Sequence, residues 1–224
     1  MKRILMAAFL AVVAGGLIGC SDDDEDTAPE SAMVRVAHLS PDAPNVDVWV
    51  DSSKILTNVS FKAVSGYLEL TEGAHQVAVT PTGATTPKVI DASVTLEGGK
   101  AYTVAATGLL ASIQPLVLVD DLVPPASGQA KVRFVHTSPG APAVDIAVRA
   151  SAVVFSNVAF RGFDGYDALP TGLYDLDVRL AGTSTVALPV DDVSFTAGYN
   201  YTVFAVGLVS NGTLSALPVV DYQP

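Results

Sequence analysis

Val34-Arg35-Val36-Ala37-His38-Leu39-Ser40-Pro41-Asp42-Ala43-Pro44-Asn45-Val46-Asp47-Val48-Trp49-Val50-Asp51 reads as two strands joined by a proline-rich turn. Val34, Val36 and His38 point one way, with Arg35, Ala37 and Leu39 opposed. Val46, Val48 and Val50 alternate with Asp47, Trp49 and Asp51. Alternation of this kind in valine-rich runs marks half-buried strands, and Ser40-Pro41-Asp42 supplies the turn between them. The stretch is then written again as His136-Thr137-Ser138-Pro139-Gly140-Ala141-Pro142-Ala143-Val144-Asp145. Asn58-Val59-Ser60-Phe61 returns as Asn157-Val158-Ala159-Phe160, Gly66-Tyr67 as Gly165-Tyr166, and Tyr102-Thr103-Val104 as Tyr201-Thr202-Val203. The first motif recurs after 98 residues and the later ones after 99. A repeat of that period is a whole domain used twice, not a solenoid unit.

Working outward, Val77 and Val79 alternate with Gln76 and Ala78, and Tyr102, Val104 and Ala106 with Thr103, Ala105 and Thr107. Turn residues at Thr71-Glu72-Gly73, Thr82-Gly83 and Gly98-Gly99 separate the runs. The second copy repeats the pattern, with Gly172 at the place of Gly73 and Tyr174 at that of His75. The expected fold is all-β: two tandem Ig-like antiparallel β-sandwich domains, at residues 32–121 and 130–224. The segment 122–129, with Pro124-Pro125 followed by small polar residues, reads as a linker that is stiff at its start. That predicts domains in line, each folding alone, with little energy passing between them.

At the N-terminus, Lys2 and Arg3 precede an uncharged, largely apolar stretch from Ile4 to Gly19. Residues 1–19 have the layout of a secretory signal, and the run is short for a membrane span. Leu17-Ile18-Gly19-Cys20 resembles the lipobox of bacterial lipoproteins. The resemblance implies cleavage before Cys20, diacylglycerol on its sulfur and an acyl group on its amine, and hence membrane anchoring through lipid. Ser21 follows, where the sorting rule of many Gram-negative bacteria reads an aspartate as retention at the inner membrane. The expected location is therefore the cell envelope, at the outer membrane. Cys20 is the only cysteine, so a lipidated Cys20 leaves no disulfide or thiol chemistry.

The net charge is −11, from 12 basic and 23 acidic residues. Asp22, Asp23, Asp24, Glu25, Asp26 and Glu30 concentrate six of the negative charges behind the cysteine. Residues 20–31 thus read as a disordered acidic tether, similar also to the acidic surface-export tag of some Bacteroidetes lipoproteins. Nothing in this balance attracts nucleic acid.

The segment from Val34 to Asp51 resembles the opening of the DUF4397 family, a domain of unknown function in bacterial surface and secreted proteins, often in tandem. The Phe61–Tyr67 segment, the Gly73 turn and the Tyr102-Thr103-Val104 strand match as well, so the two copies cover essentially the whole mature chain. The second copy departs at Gly140, Ala143 and Ala147, which replace Asp42, Asn45 and Trp49. The resemblance implies an envelope location and a β-sandwich, and brings no activity.

His38, Ser40 and Asp47, echoed as His136, Ser138 and Asp145, are the sharpest chemical constellation. Such a set could supply nucleophile, base and orienting carboxylate. Against that, the histidine and serine lie two apart on a proline turn, with no nucleophile elbow. The expectation is a structural or binding turn and no catalytic residue. The three histidines have no metal-ligand spacing. Asp42, Asn45 and Asp47, or the pairs Asp120-Asp121 and Asp191-Asp192, offer oxygen ligands in no known calcium spacing. No metal and no cofactor are expected. Trp49 beside carboxylates is a candidate carbohydrate platform. The overall expectation is a non-catalytic, lipid-anchored envelope protein acting as a binding, adhesion or spacer module, with an envelope protein or glycan as partner. The alternatives are an envelope hydrolase using the two histidine turns, or a carbohydrate-binding surface protein.

Overall fold

The computed structural model describes residues 29–224. Cys20 and the acidic run Asp22–Asp26 lie outside the described residues. Domain 1 has eight strands: β1 (Ser31–His38), β2 (Val46–Val50), β3 (Ser53–Val59), β4 (Leu68–Thr71), β5 (Gly73–Pro81), β6 (Ile90–Leu96), β7 (Ala101–Thr107) and β8 (Gln114–Asp120). Domain 2 repeats them as β9 (Gln129–His136), β10 (Val144–Val148), β11 (Val153–Val158), β12 (Asp167–Pro170), β13 (Gly172–Leu180), β14 (Val186–Phe195), β15 (Asn200–Val206) and β16 (Ser215–Tyr222). Ser31, assigned to the tether, already belongs to the first sheet, and Glu30 is hydrogen-bonded beside it. Ser31 pairs with Thr71, and the Glu72 N–H donates to the Glu30 carbonyl at 2.8 Å.

Each domain is a sandwich of two four-stranded sheets. The outer sheets run β3-β2-β5-β6 and β11-β10-β13-β14, and the inner sheets β4-β1-β7-β8 and β12-β9-β15-β16. The two-sandwich expectation holds. One feature of the pairing differs from a purely antiparallel fold: β1 pairs parallel with β7, and β9 with β15. These pairs sit at the centre of the inner sheets, where a parallel pair is usually covered on both faces. The alternating valines behave as read. Val34, Val36 and Val104 face Val48, Val77 and Val79 across domain 1. Domain 2 keeps the core tyrosine, Tyr201 for Tyr102, and fills more of the same space with aromatics, Phe134, Phe155 and Phe195.

The opposed residues do not face water. Ala37, Leu39, Ala105 and Leu118 from domain 1 pack in one cluster with Val135, Phe204 and Val206 from domain 2, and all seven are fully buried. The inner sheets are therefore stacked on each other, and the molecule is four sheets deep. This corrects the in-line arrangement. β1 and β7 are buried on both faces, so the strand residues read as half-exposed belong to a second core.

Charge is locked into that interface with pseudo-two-fold symmetry. The Arg35 guanidinium donates to its own Thr103 Oγ1 at 2.8 Å, to the Val220 carbonyl at 2.9 Å and to the Asp221 carboxylate. Arg133 does the same in reverse, to Thr202 Oγ1 at 2.9 Å, the Val119 carbonyl at 2.7 Å and Asp120. Tyr67 lies under Arg35 and Tyr166 under Arg133, at 4.9 and 4.7 Å from the ring centres. Their hydroxyls donate to Asp120 and Asp221. Burial pushes the Asp221 carboxyl upward and Arg35 opposes it. Burial and the neighbouring aspartates likewise raise both tyrosines, so they remain donors. A buried charge that kept no partner would be strongly destabilising, and here every guanidinium and carboxylate is paired across the domain boundary.

Candidate functional site

His38 ends β1 and is fully buried, because the following Ser-Pro turn folds back over it. Its Nε2 donates to the Pro44 carbonyl at 3.1 Å, and its Nδ1 accepts the Ser40 backbone N–H at 3.4 Å. This is the neutral Nε2–H tautomer. Burial lowers the pKa of the ring below its ordinary value, and the Pro44 bond opposes this only in part. The Ser40 hydroxyl donates to the Gly108 carbonyl at 2.6 Å, away from the imidazole. Domain 2 copies each contact: His136 to the Pro142 carbonyl at 3.1 Å, the Ser138 N–H to His136, and the Ser138 hydroxyl to the Gly207 carbonyl at 2.7 Å. An apolar cavity of about 180 Å³ reaches His136 and Ser138, but their hydrogen-bonding atoms are already engaged.

Asp47 and Asp145 do not complete a triad. Asp47 receives the backbone N–H groups of Asn58 and Gly83 at 3.0 and 3.1 Å, and the Lys54 ammonium at 2.6 Å. Asp145 receives Asn157 N–H and Gly182 N–H at 2.7 and 2.8 Å. Each carboxylate ties the end of the third strand and the turn after the fifth to the second strand of its copy, and Asn58 and Asn157 take positive φ there. The Lys54 and backbone bonds hold Asp47 at about 2. The motif therefore brings His and Ser together in one turn and leaves Asp at another.

A different histidine has a carboxylate partner. His75 on β5 sits 2.6 Å from Asp51 through Nδ1 and 2.7 Å from the Thr71 carbonyl through Nε2. The hydrogen bond to Asp51 raises its pKa. Tyr174 stands at the same place in domain 2, its hydroxyl donating to the Pro170 carbonyl at 2.7 Å, so the position serves a strand contact in both copies. The calcium candidates disperse: Asp42 accepts Leu110 N–H, Asn45 bonds Asn58, Asp121 pairs with Lys131 and Asp191 with Arg149. Among the described residues no group of three or more His, Cys, Asp or Glu side chains is arranged to hold a metal.

The interface arginines escaped the sequence reading. Their trace was there: an arginine recurs at one position of a valine-rich strand in both copies, where a solvated charge has no reason to be repeated.

Trp49 is half-buried on the outer sheet of domain 1. Its indole N–H donates to Thr80 Oγ1 at 3.1 Å, and the Lys54 ammonium lies 4.8 Å over the ring. The ring forms one wall of a surface groove of about 170 Å³ floored by Ala78. A second open concavity, of about 390 Å³, lies beside Asp120 and Asp121, but no aromatic ring lines it.

No curated protein matches the chain. Among solved structures, the Bacillus anthracis TIE protein aligns at 11% identity and a TM-score of 0.27, over 80% of this chain and 34% of that one. CBMbc (family CBM26) from Eubacterium rectale Amy13K, in complex with maltoheptaose, aligns at 10% identity and a TM-score of 0.26, over 82% of this chain and 95% of that one. The chain thus spans well under two thirds of the first, and at these scores neither likeness bears on function. The family described as a domain of unknown function, DUF4397, matches twice, at residues 32–147 and 145–224. The repeated sequence, the repeated sandwich and this double match agree: the chain belongs to the DUF4397 family, in two tandem copies.

Proposed function

We propose that the protein is a non-catalytic, lipid-anchored component of the cell envelope whose double sandwich acts as a binding, adhesion or spacer module. The observation that carries the reading is the state of the His–Ser turns. A hydrolase needs its serine hydroxyl in reach of the imidazole and both open to substrate. Here each hydroxyl donates to a glycine carbonyl, each imidazole is held between two backbone groups, and the aspartate faces elsewhere. A motif repeated for its turn geometry explains these contacts without a reaction. The four-sheet stack supports a load-bearing or display role, because its halves are joined by a core and not by a linker alone.

The anchor rests on Leu17-Ile18-Gly19-Cys20. The test is metabolic lipid labelling of the full chain and of Cys20→Ala in a Gram-negative host, followed by fractionation. The expected outcome is a processed, lipid-labelled wild type in the outer membrane and an unlabelled, unprocessed variant. A labelled Cys20→Ala product would rule out this anchor. Loss of a measurable ester- or amide-hydrolase activity on His38→Ala with unchanged melting would instead favour the hydrolase reading.

A further inference from the structure

The two outer sheets occupy the same place in the repeat but present different chemistry. Strand register fixes the equivalences. Trp49 pairs with Ala78 and Lys54 in domain 1, as Ala147 pairs with Asp177 and Val153 in domain 2. Asp47 opposite Thr80 becomes Asp145 opposite Arg179. In domain 2 this face is closed by ion pairs. Arg149 bonds Asp177 at 3.0 Å and Asp191 at 2.6 Å, and Arg179 bonds Asp177 at 3.0 Å. In domain 1 the short Ala78 leaves the space between Trp49 and the β6 side open, and the groove follows from that.

The groove has the features of a site for one neutral sugar ring. Lys54 does not line it, so the ammonium sits outside and one indole face is left toward the cavity. The rim is polar: the exposed Ser52 and Thr85 hydroxyls, and Gln76, whose amide nitrogen donates to Asp91 and leaves its oxygen as an acceptor, while the buried Thr80 hydroxyl is spent on Trp49 and the Ala84 carbonyl. The rim carries no spare charge, because Lys88 is paired with Asp91 at 3.0 Å and Lys54 with Asp47. An apolar ring face with hydroxyl-matching groups beside it suits a pyranose, whose C–H face is apolar and whose edge is hydroxylated. The groove volume is about 170 Å³. That is below the roughly 300–1,000 Å³ of drug-sized sites, so a single ring fits and the rest of a glycan must lie outside.

We propose that the Trp49 groove of domain 1 binds one neutral hexopyranose unit of a glycan, and that domain 2 lacks the site because Ala147 and Asp177 stand in place of Trp49 and Ala78. This rests on the binding-module reading and adds its ligand class. Trp49 is the only tryptophan in the chain, so its emission reports the groove alone. The mature chain is titrated with malto-, cello-, chito- and manno-oligosaccharides. A saturable emission shift is expected with at least one series, and calorimetry should show affinity down by about tenfold or more in Trp49→Ala, a loss of about 1.4 kcal/mol. Ala78→Asp, which installs the residue of domain 2, should abolish the shift while the indole remains. Gln76→Ala, at an exposed rim position, should weaken binding with melting unchanged. No saturable shift with any of the four series, or binding kept in Ala78→Asp, overturns the proposal. Retention on whole envelope material that is unchanged in Trp49→Ala overturns the groove but leaves the module; loss of all envelope retention in the wild type overturns the module itself.

Discussion

Three histidines carry nearly all of the chain's titration near neutrality, and their environments oppose each other. His38 and His136 are pushed below the ordinary value by burial, while His75 is raised by Asp51. A lowered native pKa means that the unfolded chain takes up protons first. The stability from His38 and His136 is thus complete above about pH 6.5 and declines as pH falls toward their native values. His75 acts the other way: its contribution is complete below about pH 6.5 and fades as pH rises through its raised native value. With two rings against one, and Asp51 largely exposed, the melting temperature should fall between pH 7 and pH 5. Imidazole NMR titration should find two resonances titrating below the third, and the reverse order would refute the burial account. His38→Ala removes the donor to the Pro44 carbonyl and the acceptor for Ser40 N–H, and should cost about 1–3 kcal/mol by denaturant melting. His75→Tyr copies domain 2 and keeps a donor for the Thr71 carbonyl, so its change should stay within about 1 kcal/mol.

At the scale of elements, the recurring device is a strand end pinned by the turn that follows it. Gly108 and Gly207 close the β7 and β15 strands at φ +97° and +89°, and their carbonyls take the Ser40 and Ser138 hydroxyls. A Cβ on Gly207 would lie 2.2 Å from the Thr213 carbonyl oxygen. Gly207→Ala thus combines a left-handed backbone with a backbone clash, and should lower stability by more than about 1 kcal/mol. Calorimetric melting of the variant checks this; an unchanged transition would mean the loop from Leu208 to Thr213 yields freely. The strands themselves were legible, because period-two valines need only a core on one side. The parallel pairing of β1 with β7 was not, since alternation specifies a face and not a partner.

Across the whole molecule, the shared core should couple the two domains into one cooperative unit. Arg35→Ala would leave the Asp221 carboxylate of the other domain buried without its guanidinium, a change of about 3–5 kcal/mol. The expected result is a single calorimetric transition in the wild type and a lowered transition in the variant that affects both halves, followed by residue-resolved hydrogen exchange in β9 and β15. Two independent transitions in the wild type, with only domain 1 lowered by Arg35→Ala, would restore the separable-module picture. The repeat, the strands, the turn residues and the two-sandwich architecture were determined by sequence alone, because local alternation and turn chemistry act over a few residues and are copied with the repeat. What the tertiary structure decided is which surfaces meet. Arg35, Ala37 and Leu39 look like an outward strand face until Asp221, Val135 and Phe204 cover them. The His–Ser motif looks like chemistry until Pro44 and Gly108 take its hydrogen bonds. The first outcome depends on partners up to 186 residues away and the second on Gly108, 68 residues from Ser40, and no local pattern encodes a contact made over such a span.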